Sequence, residues 1–79
     1  AKSLEDQAYY YHQLGWIKDD QNDWEAALEY YQKSLKIEEQ IFAPTDISLA
    51  TSYNNVALVY ANMEKYDKAL FFYEKALSI

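Results

Sequence analysis

His12 is the first residue to consider for chemistry, and it stands alone: the 79 residues contain one His and no Cys. Without thiolates or a second imidazole, no paired metal ligands can be assembled on it. The acidic stretch "DDQNDWE" (19–25) places Asp19, Gln21 and Asp23 at the alternating spacing of a calcium loop. That loop needs Gly at its sixth position and a bidentate Glu at its twelfth, and here those positions hold Trp24 and Tyr30. The stretch reads instead as a charge cluster at a helix end, with Asp23 capping the helix that follows. There is no nucleophile–base pattern and no glycine-rich phosphate loop. The expectation is a protein that is not an enzyme, with no cofactor and no metal.

What remains is recognition chemistry. "SYNNVALVY" (52–60) holds Asn54 and Asn55 side by side in a run that otherwise reads as a buried helix. Asn is a mediocre helix former, because its side chain competes for backbone hydrogen bonds. An amide both donates and accepts, so it can hold an extended peptide backbone without reading its sequence closely. Asn55, Leu58 and Asn62 stand at i, i+3, i+7 and share a face. Trp16 is a candidate anchor, since Trp is favoured at the centres of interfaces. The alternatives are a solvated polar face for the asparagines and packing of Trp16 against a neighbouring helix of its own chain.

The elements that position these residues follow from composition. Seven Lys and Arg against thirteen Asp and Glu give a net charge of −6. That repels phosphate backbones, so no nucleic acid is expected as a partner. No apolar run is long enough to span a bilayer, and "AKSLEDQ" does not open as a signal peptide. With no cysteine to form disulfides, the expected setting is the cytoplasm. One Gly and one Pro leave little turn chemistry for strands, so long helices with short connections are predicted.

The chain repeats at an offset of 42. Residues 8–37 lie over 50–79 with eight identities in thirty positions: Ala8, Tyr11, Ala27, Leu28, Tyr31, Lys33, Leu35 and Ile37 recur as Ala50, Tyr53, Ala69, Leu70, Tyr73, Lys75, Leu77 and Ile79. Each unit reads as two helices. Tyr11, Leu14, Gly15 and Lys18 form one stripe, and Trp24, Ala27, Leu28, Tyr31 and Leu35 the next. In the second unit the stripes are Tyr53, Val56, Ala57, Tyr60 and Met63, then Tyr66, Ala69, Leu70, Tyr73 and Leu77. Ser3 caps the first helix, Asn22-Asp23 makes the first turn, and Pro44-Thr45 breaks and recaps the chain between the units. "EK" (64–65) is poor turn chemistry, so strain or fraying is expected there. The segment "KIEEQIF" (36–42) is expected to extend the second helix.

These residues resemble tetratricopeptide repeats, whose pattern asks for W-x₂-L-G-x₂-Y and then A-x₃-F. The chain offers Tyr11-x₂-Leu14-Gly15 and Ala27-x₃-Tyr31, then Tyr53-x₂-Val56-Ala57-x₂-Tyr60 and Ala69-x₃-Tyr73. The 42-residue unit is similar to kinesin light chain-type repeats. The resemblance implies an all-α fold of four antiparallel helices, a right-handed α-solenoid fragment. It reads as one domain over 1–79, with repeat 1 at about 3–43 and repeat 2 at about 45–79. It also implies that the first helix of each pair lines a concave face. That assigns Tyr9, His12, Gln13, Trp16, Asp19 and Asp20 from the first unit, and Asn54, Asn55, Leu58 and Asn62 from the second, to a peptide-binding groove. With Asp19 and Asp20 in it and no Lys or Arg, the expected partner is a neutral or basic peptide with an apolar anchor near Trp16 and Leu58.

A rival reading is assembly. "ALFFYEKALSI" (69–79) is apolar around most of its circumference, and Phe71 stands where the first unit has Glu29. Two repeats are few for a stable array, and a capping repeat needs a polar outer face. Leu70, Phe71, Phe72 and Leu77 are therefore candidates for self-association, as a homodimer through the last helix or because the chain is an excised or designed piece of a longer array.

Overall fold

The computed structural model describes residues 3–79. Four helices follow one another: α1 (Leu4–Asp20), α2 (Trp24–Ile41), α3 (Ile47–Asn62) and α4 (Tyr66–Leu77), and there is no strand among the described residues. None of these helices is long and apolar enough to cross a membrane.

Local chemistry sets the ends. Ser3 Oγ accepts from the Asp6 amide at 3.1 Å, and Asp23 Oδ1 accepts from the Ala26 amide at 3.4 Å. Asn22 turns the chain with φ 61°, the left-handed region that Asn tolerates. The second connection differs from expectation: the cap of α3 is Asp46, which accepts from Ser48 at 2.8 Å, and not Thr45. The third turn is the strained one, as "EK" suggests. Glu64 adopts φ 61°, and Lys65 at the start of α4 offers no side-chain cap. The extension is real: α2 stays helical through Ile41, and Phe42 closes it.

The helices pack as two hairpins, α1 on α2 and α3 on α4, joined where α2 meets α3. The core runs along this seam: Ala27, Tyr31 and Leu35 of α2; Leu49, Tyr53, Val56, Val59 and Tyr60 of α3; and Ala69 and Ala76 of α4. Small residues permit the close approaches. A Cβ at Gly15 would fall 2.6 Å from Cδ1 of the Tyr31 ring, so that ring occupies the space the glycine leaves open.

The face of α4 turned inward is not the one the stripe predicted. Leu70 and Leu77 lie outside, together with Tyr66. Ala69, Phe72, Tyr73 and Ala76 pack instead. Phe72, assigned above to self-association, stacks on Tyr60 at 5.7 Å and leans on Tyr53 at 6.2 Å within its own chain. Repeat equivalence explains this, because Phe72 stands where Tyr30 does in the first unit, on the side facing the paired helix.

Hydrogen bonds tie α2 to both of its neighbours. Ser34 is buried in α2 and donates to the Ala8 carbonyl of α1 at 2.7 Å. From α3, Ser52 donates to Glu38 Oε1 at 2.6 Å and Tyr53 donates to Glu39 Oε2 at 2.8 Å. Among the described residues no buried side-chain polar atom lacks a partner.

Candidate functional site

Between α1 and α3 the two hairpins leave an open cleft of about 490 Å³. The wall from α1 is Glu5, Asp6, Ala8, Tyr9, His12 and Gln13; the facing wall from α3 is Ser48, Thr51 and Ser52. Glu38 and Phe42, from the extension of α2, complete the lining. The helical period places Tyr9, His12 and Gln13 together, since i, i+3 and i+4 share one side of a helix. Ser48, Thr51 and Ser52 repeat the same spacing on α3.

The Glu38 carboxylate is positioned by hydroxyls. Ser34 Oγ lies 3.4 Å from Oε1 and 2.7 Å from the Ala8 carbonyl. A hydroxyl has one proton, and the shorter contact takes it. Ser52, at 2.6 Å, is therefore the donor that holds Oε1.

The predicted groove residues divide into groups. Tyr9, His12 and Gln13 line the cleft. Trp16, 59% exposed, lies with Asp19, Asp20, Asn22 and Trp24 around a separate hollow of about 260 Å³ at the α1–α2 turn. Trp16 is thus largely exposed, with Trp24 of α2 on the rim of the same hollow. The cleft is walled on α3 by hydroxyl residues nearer the start of that helix than Asn54, Asn55, Leu58 and Asn62. Of those four, Asn54, Leu58 and Asn62 are exposed and Asn55 is half-buried. Ser48, Thr51, Ser52, Glu38 and Phe42 escape sequence reasoning; the Ser/Thr spacing at 48, 51 and 52 is the signal that could have found them.

Around the second hollow, the Tyr31 hydroxyl donates to Asp19 Oδ2 at 3.4 Å. Burial raises the Asp19 carboxyl above its usual range, the Tyr31 hydrogen bond pulls it back, and the neighbouring Asp20 charge adds to the rise. Tyr31 is pushed up to about 12, first by burial and then by the Asp19 charge and its hydrogen bond. Tyr53 is also pushed up to about 12, by burial and then by its bond to the Glu39 carboxylate and by that charge. These phenols stay neutral donors at physiological pH. Among the described residues no three His, Asp or Glu side chains converge as a metal cage requires.

Paired helices, repeated at a constant offset and leaving a cleft between their first members, match a known family. The tetratricopeptide repeat family model matches residues 6–79, and the chain belongs to that family. Among curated proteins it is similar to the photosystem I assembly protein Ycf3 of Prochlorococcus marinus (strain SARG), with 38% identity over 73 residues, or 92% of this chain and 39% of the relative. The protein of the same name from Prochlorococcus marinus (strain NATL1A) is 33% identical over 75 residues, 95% of this chain and 40% of its own length. That from Synechococcus sp. (strain WH7803) is 35% identical over 71 residues, 90% and 38% respectively. The chain thus spans about two fifths of the length of the curated relatives it matches.

Proposed function

We propose that this chain is a non-catalytic interaction module that holds an extended peptide segment or partner helix of another protein in the cleft between α1 and α3. The observation that carries the reading is the cleft itself: about 490 Å³, walled by Tyr9, His12 and Gln13 on one helix and three hydroxyl residues on another. Membership of a family of helical repeats supports it, because such repeats present elongated surfaces to partners. The printed role of the Ycf3 relatives, photosystem I assembly, supports a use in which a client segment is held while a larger complex is put together. The offset of 42 between Trp24 and Tyr66, which open α2 and α4, favours the longer, kinesin light chain-like type of repeat with units near 3–43 and 45–79. The absence of cysteine favours a cytoplasmic setting.

Selection of a phage-displayed library of random dodecapeptides on the immobilised chain tests this. Thr51→Trp, at an exposed position on the cleft wall, fills the cleft without touching the core. Peptides that bind the parent chain and lose binding to the folded variant support the proposal. Peptides that bind both equally, or no selected peptide at all, sink it.

A second reading, self-association through α4, is favoured by one contrast. Leu35 of α2 is 6% exposed because α3 covers it, whereas Leu77, its equivalent in α4, is 86% exposed. Leu70 and Phe71 join Leu77 on the uncovered side.

A further inference from the structure

The charge of the cleft narrows what it can hold. Three carboxylates, Glu5, Asp6 and Glu38, line it beside His12, and among the described residues no Lys or Arg does. Among the described residues the only ion pair is Lys33 with Glu29, so no other described residue neutralises any of the three. Glu38 differs from the other two. It is half-buried, and Oε1 is held by the Ser52 hydroxyl at 2.6 Å, while Oε2 has no hydrogen-bond partner among the described residues. A carboxylate already fixed in place loses little freedom when it binds, which is the condition under which a charge pair adds affinity and not only steering. Tyr9 and Phe42, in the same lining, offer apolar surface for an alkyl stem, the way Lys and Arg side chains are accommodated.

We propose that Glu38 is the anchor of the cleft, and that it receives a Lys or Arg side chain from the bound segment through Oε2. This rests on the reading of the cleft as a peptide site and names the class of peptide it takes. Ser52 is a positioning residue in this arrangement: its hydroxyl aims the carboxylate and does not meet the ligand's charge.

The test uses dodecapeptides selected on the chain as above, resynthesised with each Lys or Arg replaced by Gln in turn, and titrated against the parent chain and Glu38→Gln. Gln keeps an oxygen that Ser52 can donate to, so the fold and the local hydrogen bond are retained, as circular dichroism checks. The expected result is that one basic position, when replaced, weakens binding to the parent chain about tenfold, the loss of one charge-assisted hydrogen bond. The same replacement should leave binding to Glu38→Gln unchanged, and raised salt should weaken only the basic peptide. Ser52→Ala should lower the affinity less than Glu38→Gln does. Cleft-dependent peptides with no shared basic residue, or an unchanged affinity on Glu38→Gln, overturn the anchor while leaving the cleft as a peptide site. Binding that Thr51→Trp fails to block overturns both.

Discussion

Gly15→Ala sets two effects of known sign against each other. Alanine is the better helix former, by about 1 kcal/mol in a helix interior. The new methyl, however, would lie 2.6, 2.8 and 3.0 Å from Cδ1, Cε1 and Cγ of Tyr31, where carbon atoms prefer roughly 3.5–4.0 Å. The ring must retreat by about 1 Å. It has little room, since Tyr31 is 3% exposed, packs on His12 at 5.5 Å and bonds Asp19 at 3.4 Å. Overpacking of this kind costs about 1–3 kcal/mol, and losing the Tyr31–Asp19 bond adds roughly 0.5–1.5 kcal/mol. Packing wins, and the variant should be less stable by about 1–2 kcal/mol. The second unit illustrates the trade: Ala57 stands at the equivalent position, and Tyr73, the equivalent ring, is only half-buried. The absence of a helix beyond α4 among the described residues contributes to that exposure as well. Urea unfolding followed by far-ultraviolet circular dichroism measures the change. In a Tyr31→Leu background the same substitution should turn stabilising, because the clash is gone and the propensity gain remains. A Gly15→Ala chain more stable than the parent would refute the packing argument.

Further outcomes follow from the same structure. The urea midpoint should be level between about pH 7 and 10 and fall between 10 and 12, because Tyr31 and Tyr53 ionise near their ordinary 10.0 when unfolded but near 12 when folded, so the folded state keeps protons the unfolded state has lost. Tyr31→Phe with Tyr53→Phe should flatten that slope. Copying the first turn into the second, as Glu64→Asn with Lys65→Asp, should raise stability by about 1 kcal/mol by easing the φ 61° residue and capping α4; an unchanged midpoint would mean that the turn carries no strain. If α4 self-associates, light scattering over a concentration series should show dimers for the parent chain and monomers for Leu70→Ser with Leu77→Ser. A parent chain that stays monomeric at every concentration rules that assembly out.

The fold was legible because the repeat offset and the helical stripes agree at most positions. Asn22-Asp23 reads correctly as a turn and cap because each residue has a specific backbone role there. Thr45 and Asp46 are adjacent and chemically equivalent as caps, so the choice between them depends on backbone geometry that composition does not express. The face of α4 was misread because Leu70, Phe71, Phe72 and Tyr73 are four apolar residues in succession, and such a run has no phase. Half of the cleft was legible for the same reason that α1 was: Tyr9, His12 and Gln13 share a helix side. The other half was hidden because its floor comes from α2, the second helix of the pair, whose extension brings Glu38 and Phe42 around. Short hydroxyl residues such as Ser48 and Thr51 carry no hydropathy signal of their own.

The Ser34 hydroxyl also bears on how two similar hairpins avoid exchanging parts. Units with eight identities risk misassembly, with α4 of one molecule docking where α2 of another belongs. Ser34 and Gln32 make α2 distinguishable, since they reach Ala8 on one side and Tyr60 on the other. Their equivalents in α4 are Ala76 and Glu74, which have no donor to offer either partner. An α4 helix seated in the α2 slot would leave both bonds unmade, so two small polar groups act as an address that keeps the middle helix in the middle.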